Sequence, residues 1–411
     1  MIDLILLRTH TQDIIARIKS KDPDYNIEKL VELDALVRQL RLKVEQLRSK
    51  KNELAQLGQA GITQELREQS IEISRELKRH EQELEQRNTE FQDLYLRCPN
   101  IPELDLPIGG KEANKVVKVF GAKPNFSFTP KNHVELGKIN NWFDFEAATR
   151  MTASNFALYK GDAVMLVYKL MLFMLENNKH FGFQPILPPY LVNETALIGS
   201  GNFPRFNDEA YSLPEDKLFL TPTSEVNLTS MYRDHIFLSQ DLPVKMTAWT
   251  SCFRREAGGY GAHERGLIRI HQFEKVELYT ITEPAKADQA QEHMLTCAEA
   301  ILQALGLHYR ISLLATQDSS FASAKTFDIE VWMPGQEVYK EVSSVSNCTD
   351  FQARRSSIRY RRYEGDKTQL VYTLNASALA LPRLLVALME TYQQEDGSIL
   401  LPDILKTVLI S

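Results

Sequence analysis

Between Thr247 and Tyr279 the chain brings together side chains that could hold a charged, planar ligand. Thr247 to Glu256 has strand character, and period-two alternation puts Arg254 and Glu256 on one face. A glycine-rich run, Ala257-Gly258-Gly259-Tyr260-Gly261, follows, and the chain returns from Gly266 to Glu277. On that return Arg269, His271, Phe273 and Glu277 share one face, and Ile268, Ile270 and Val276 share the other. One face is core-like; the other bears guanidinium, imidazole, aromatic and carboxylate groups. A solvent-exposed amphipathic hairpin would explain either strand alone. Two adjacent strands with this combination also read as the floor of a ligand site.

Such a floor needs a sheet-rich body, and the first hundred residues are of another kind. Apolar positions fall at Leu30, Leu33, Val37, Leu40, Val44, Leu47 and Leu54, with Lys51 breaking the series. Alternating spacings of three and four mark a coiled-coil seam. Gly58 and Gly61 interrupt helix propensity. A second seam follows at Leu66, Ser70, Ile73, Leu77, His80, Leu84, Arg87, Phe91 and Leu94. Together they predict an antiparallel hairpin over 27–95, each helix about 45–50 Å long and too long for a compact core. The first helix carries Arg38, Arg41, Lys43, Arg48, Lys50 and Lys51, whereas acids dominate the second. A packing or dimerising coiled coil accounts for this pattern. A basic stripe that positions an RNA backbone is the other reading.

The breaker-rich segment from Cys98 to Gly110 marks a boundary, which gives expected domains of 1–105 and 106–411. Beyond it, helical and strand patterns mix in an α+β body. Residues 161–178 are apolar nearly all round, which predicts burial on both sides, in a core or at a dimer interface. A chain of 411 residues, 43% apolar and 25% charged, fits neither a disordered nor a membrane protein and is too long for one ordinary core. The net charge of −6 leaves RNA binding to local patches. Cys98, Cys252, Cys297 and Cys348 are scattered, with no C-x-x-C pair to begin a zinc or redox motif. The N-terminus lacks signal-peptide features, and the apolar run Val164–Leu175 is interrupted by Lys169. A cytoplasmic protein with no membrane partner is expected.

Several blocks resemble the seryl-tRNA synthetases, a family of class II aminoacyl-tRNA synthetases. Cys252-Phe253-Arg254-Arg255-Glu256-Ala257-Gly258, Arg265 to Arg269 and His271 to Glu277 are similar to its motif 2, here about 247–279. Thr221-Pro222-Thr223-Ser224-Glu225-Val226 resembles the serine-binding Thr-x-Glu element, with Ser224 where alanine is usual. Glu341 to Ser344 and Ser346 to Arg355 resemble the block before motif 3. Thr373-Leu374-Asn375-Ala376-Ser377 through Leu381-Pro382-Arg383, with the ending Glu390–Ile399, looks like motif 3, here about 373–394. Motif 1 would occupy about 154–189, and the hairpin resembles the family's tRNA-binding arm. Ala376 and Ala378 stand where glycines commonly flank the serine, and Pro382 precedes the arginine. Ala262-His263-Glu264 differs from the commoner Arg-Asp-Thr loop.

The resemblance implies an antiparallel-sheet catalytic domain that joins L-serine to ATP and transfers it to tRNA(Ser), with tRNA(Sec) a second candidate. Arg254 would hold the α-phosphate and the serine carboxylate, and Arg383 the far end of a bent ATP. Glu256 would meet the adenine amino group and Phe273 would stack on the ring. Arg255, Ile270, Val342 and Ser343 complete the implied ATP contacts. Glu341 and Ser344 would ligate Mg²⁺, which favours carboxylate, phosphate and hydroxyl oxygens. Thr223 and Glu225 would face the serine amino group, with Glu277, Asn375 and Ser377 near its hydroxyl. Alanine would be rejected because Glu277 and Ser377 would be left buried without a partner. A homodimer is implied too. Two rivals keep part of this pattern: a homologue that loads serine onto a carrier protein or small molecule, and a non-catalytic RNA-binding or scaffold protein that kept the fold. The intact hairpin counts against the first, and Arg254, Glu256, Glu341 and Arg383 count against the second.

Overall fold

The computed structural model describes residues 1–59, 61, 63–256 and 266–407. Clustering of contacts divides the chain into Ile2–Pro99 and a larger unit that begins at Asn100 and takes in Met1. The glycine-rich run 257–261 and the loop Ala262-His263-Glu264-Arg265 lie outside the described residues.

In the smaller unit the two seams become α1 (Ile27–Gln59) and α2 (Gln64–Leu96), each of 33 residues. Their first turns are capped by side chains. Asn26 Oδ1 accepts from the Lys29 amide (3.0 Å), and Thr63 Oγ1 from that of Leu66 (3.2 Å). Leu30, Leu33, Val37, Leu40, Val44 and Leu47 are buried, as are Leu77 and Phe91 of α2. The seam therefore closes within one chain. The charges also meet across it: Arg48 pairs with Glu81 (2.7 Å), Lys43 with Glu76 (3.0 Å), and Arg41 donates to Asn88 (2.8 Å). Arg38 pairs instead along its own helix with Asp34 (3.2 Å). Part of the basic stripe is thus balanced inside the hairpin.

The larger unit is built on one eight-stranded sheet. Its strands are β1 (Lys115–Phe120), β2 (Gln184–Ile186), β3 (Val244–Phe253), β4 (Gln272–Thr282), β5 (Tyr309–Leu313), β6 (Lys325–Met333), β7 (Val338–Asn347) and β8 (Tyr372–Ala380). They lie in the order β1-β5-β6-β7-β8-β4-β3-β2, antiparallel except for β2, which runs parallel to β3. The helices used below are α3 (His133–Ile139), α4 (Asp162–His180), α5 (Ser224–Met231), α6 (Ala287–Ala304) and α7 (Leu381–Thr391). Leu166, Leu170 and Met174 of α4, Cys297 and Ile301 of α6, Leu384 to Met389 of α7 and Val276 and Leu278 of β4 share one core.

Three expectations change. First, β3 stops at Phe253, so Arg254 and Glu256 are not on a strand, and Glu256 takes φ +50°. Second, β4 begins only at Gln272, although Ile268 and Ile270 are in the core as expected, joined there by Leu267. Third, among the described residues α4 is covered on one side only. Met165, Tyr168 and Leu172, spaced as one stripe, are 47%, 47% and 42% exposed. Motif 3 departs from the common pattern without distortion. Ala376 and Ala378 sit in β8 and have no positive φ, while Pro382 falls in the first turn of α7, where no helical amide is lost.

The end of the glycine-rich excursion is anchored from below. The Leu267 amide donates to His133 Nε2 (3.2 Å), which leaves Nδ1 to donate to Glu390 Oε1 (3.2 Å). Glu390, fully buried, also accepts from the Gly335 amide and Gln336. Gly266, at φ +69°, has no room for a Cβ, which would meet His133 Nε2 at 2.3 Å.

Candidate active site

A cavity of about 520 Å³ opens on the face of β4, β7 and β8. Its walls include Glu225, Arg254, Glu256, Ile270, Phe273, Glu277, Glu341, Ser344, Asn375, Ser377 and Arg383, drawn from segments up to 158 residues apart in sequence (225 to 383). Period two supplies part of this set. Phe273 and Glu277 share a face of β4, and Asn375 and Ser377 share one of β8, with Ser377 paired opposite Glu277. Glu341 and Ser344 are three apart and should oppose each other on a regular strand. A bulge where Ile329 pairs with Ser343 but Glu330 with Glu341 absorbs Val342 and turns both toward the cavity.

The two arginines are held differently. Arg254 lies just past β3, with its amide donating to His271 O (2.9 Å) and its Nε to Pro222 O (3.2 Å), and its guanidinium 5.3 Å from the Phe273 ring centre. Arg383, in the first turn of α7, donates to Glu341 O (2.9 Å) and pairs with the Glu341 carboxylate (3.3 Å). Burial pushes the Glu341 carboxyl up, but Arg383, the Ser344 hydroxyl and Arg254 together hold it below its ordinary value. The Ser344 hydroxyl lies 2.6 Å from Asp328 and 3.1 Å from Glu341, with its single proton for one of them. Burial, then the Glu341 charge, raise Asp328 well above the carboxylate range.

The far end of the cavity is acidic. Glu225 Oε1 accepts from Gln352 (2.5 Å) and Asn375 (3.0 Å), and Gln352 is itself fixed by Tyr279 and Thr373, which donate to its carbonyl. Burial first, and the nearby Glu277 carboxylate second, push Glu225 up to about 7. Thr223 lies behind the wall, capping α5 and donating to Glu277 (2.9 Å). Glu277 is also ion-paired with Lys275. Glu277 thus keeps two protein partners whatever the ligand, both on Oε2, so the expected penalty for alanine falls on Oε1 and Ser377.

Other expected residues stand elsewhere. Arg255 is outside the cavity wall, donating to Ala210 O (3.0 Å) with its guanidinium over Tyr211. Val342 is fully buried, and Ser343 donates to Ser377 O (2.5 Å). His271 packs against Phe156 and is not in the wall. Glu256 is in the wall but ion-paired with Arg269. Sequence reasoning passed over Lys275, although period two puts it between Phe273 and Glu277. It gave no role to Gln352, and Asp328 reaches the site only through the β6–β7 register.

Glu341, Ser344 and Asp328 are an oxygen-only donor set, and among the described residues no three His, Cys, Asp or Glu side chains cluster to hold a metal. A small set of this kind suits Mg²⁺, which keeps waters and substrate phosphates in its shell.

Residues 1–102 match the seryl-tRNA synthetase N-terminal domain, and 208–392 match the tRNA synthetase class II core domain (G, H, P, S and T). The chain is 44% identical over 417 aligned residues to the serine–tRNA ligase of Chlamydia abortus, covering 100% of this chain and 98% of that one. It belongs to the seryl-tRNA synthetase family. The serine–tRNA ligase of Chlamydia pneumoniae is 42% identical over the same span. Among solved structures, the Pyrococcus horikoshii seryl-tRNA synthetase complexed with ATP superposes with a TM-score of 0.92 at 31% identity, covering 99% of this chain and 98% of that one. The Naegleria fowleri cytoplasmic enzyme in complex with AMP gives 0.80 at 26%, over 93% and 90%. A seryl-tRNA synthetase thus accounts for both units and for the antiparallel sheet. Among the described residues no helix is long and apolar enough to cross a membrane.

Proposed function

We propose that this chain activates L-serine with ATP and transfers the seryl group to the 3′ end of tRNA. The observation that carries the reading is one cavity with two arginines around Glu341 at one end and two carboxylates at the other. The serine carboxylate attacks the α-phosphorus of ATP, the bond to the bridging oxygen breaks, and pyrophosphate leaves. Arg254 balances charge on the α-phosphate, and Arg383 receives the outer phosphates in place of its contact with Glu341. Phe273 stacks on the adenine, with Glu256 beside the amino group. Glu341 and Ser344 would hold Mg²⁺, which would offset phosphate charge. In the second step a terminal ribose hydroxyl of tRNA attacks the seryl carbonyl and AMP leaves. Serine-dependent exchange of labelled pyrophosphate into ATP, run beside charging of tRNA(Ser) and tRNA(Sec), tests this. Exchange without charging would point to a carrier-loading enzyme, and neither activity would leave an RNA-binding scaffold.

Glu225 is the seat of the serine ammonium, and its raised pKa gives two expected results. The carboxylate must be ionised to receive a cation, so kcat/KM for serine should fall about tenfold per unit as pH drops below about 7, with KM for ATP little changed. A carboxyl with a raised folded pKa adds stability below its unfolded value and loses it as pH rises through the folded one. Glu225→Gln should therefore melt a few degrees above wild type at pH 8.5 and level with it at pH 4, below the unfolded value, while abolishing serine activation. Equal melting of the two proteins at both pH values would refute the burial assigned to this carboxyl.

The apolar stripe of α4 supports a homodimer formed through this helix. Light scattering at micromolar concentration should give twice the chain mass, and Tyr168→Glu with Leu172→Glu should halve it. A monomeric mass with full wild-type activity would end this assignment.

A further inference from the structure

Phe273, Lys275 and Glu277 face the cavity together, and the last two are almost dry, at 7% and 2% exposure. A buried lysine in a substrate pocket needs a reason, because taking an ammonium out of water costs far more than an exposed ion pair returns. Lys275 is in contact with Glu277 Oε2 and donates to Thr223 Oγ1 (2.7 Å). That hydroxyl donates its one proton to the same Oε2 (2.9 Å) and accepts the Glu225 amide (3.3 Å). The triangle is closed: the Thr223 hydroxyl is fully used, and among the described residues both contacts to the Glu277 carboxylate fall on one oxygen. The other oxygen, Oε1, carries none of these contacts.

Charge then decides what the pocket takes. Without Lys275 the acidic end would present two carboxylates, Glu225 and Glu277, and would suit a ligand with two ammonium groups. With it, Glu277 is already neutralised, so one carboxylate remains for one α-ammonium. The adjoining seat is polar but balanced, and it offers an acceptor to a neutral hydroxyl. Building on the serine reading above, we propose that Lys275 is a specificity-determining residue. It makes the side-chain seat select a hydroxyl and reject a cationic side chain of the same size. The compound that isolates this feature is L-2,3-diaminopropionate, which carries an ammonium where serine carries its hydroxyl. In the wild-type pocket that ammonium would be desolvated opposite Lys275 with no free anion. Once Lys275 is removed, it would restore the missing partner of Glu277.

The test is pyrophosphate exchange by the full-length chain with each amino acid in turn. Wild type should use serine and discriminate against the diamino acid by about 10³-fold or more in kcat/KM. Lys275→Met should lose serine activity and shift the ratio toward the diamino acid by on the order of 100-fold. Lys275→Met with Glu277→Gln removes both charges, leaves no unpaired ion to compromise folding, and should go on rejecting the diamino acid. The proposal is overturned if wild type uses both amino acids equally. It is also overturned if the folded single variant keeps the wild-type ratio, or if the double variant gains the diamino acid. Absence of serine-dependent exchange in wild type is a different failure, since it would remove the serine reading itself.

Discussion

Replacing Arg254 by alanine is expected to lower serine-dependent pyrophosphate exchange by about 10³-fold or more. The guanidinium sits between the two ends of the cavity, 5.3 Å from the Phe273 ring and close enough to Glu341 to help hold that carboxyl ionised. Among the described residues the other cations of the wall are engaged elsewhere: Arg383 is bound to Glu341 through both backbone and side chain, Arg269 pairs with Glu256 and Lys275 with Glu277. A planar fork can hold phosphate and carboxylate oxygens at once, which a lysine ammonium cannot. Arg254→Lys should accordingly recover less than a tenth of the lost activity. Folding should be little affected. Among the described residues the side chain donates to one backbone acceptor, Pro222 O at 3.2 Å, and the main chain keeps its bond to His271 O. Melting within a few degrees of wild type would separate a chemical loss from a structural one. Retention of more than a tenth of wild-type exchange would remove Arg254 from the reaction.

Much of this arrangement is legible in the order of residues, and the remainder is hidden for identifiable reasons. The heptads specify the hairpin because each buried position repeats a local rule that one helix must obey. Asn375 with Ser377, and Phe273 with Glu277, follow from period two. Glu341 with Ser344 does not, since their common face depends on a bulge set by the partner strand β6. The turn at Glu256 is likewise invisible, because a left-handed φ at a non-glycine residue is imposed by its surroundings. Ile268 and Ile270 alternate with Arg269 and His271 in burial as a strand would, yet the strand starts only at Gln272, and the His133–Leu267 anchor that fixes the preceding turn comes from a segment 134 residues away. Ion pairs were the least legible feature. Lys275 with Glu277 and Arg48 with Glu81 link positions whose distance apart depends on tertiary or interhelical geometry. Those pairs change the reasoning about amino-acid selection and about RNA binding.

Deleting the hairpin tip, Leu40 to Leu84, and closing it with a short turn should leave exchange nearly intact and lower tRNA charging by orders of magnitude. Every residue assigned to ATP, Mg²⁺ or serine lies in the larger unit, whereas α1 and α2 belong wholly to the smaller one. The first half-reaction needs only the cavity; the second needs a long RNA held in register with it. The source of the RNA contact can be narrowed by charge. Arg48 and Lys43 are offset by Glu81 and Glu76, so each presents little net charge to a phosphate, whereas Arg38 shares the Asp34 carboxylate with Arg8 (2.6 Å). Lys50, Lys51, Arg67 and Lys78 are exposed and have no ion pair among the described residues. If RNA backbone binds here, KM for tRNA rises steeply with salt, and neutralising those four together flattens the slope by up to about four units. Neutralising Arg38, Arg41 and Arg48 should flatten it less and cost hairpin stability instead, visible as an earlier loss of helical signal on heating. Equal loss of both half-reactions on deletion would mean that the tip supports folding of the larger unit. Undiminished charging would make the hairpin a structural coiled coil with no part in holding tRNA.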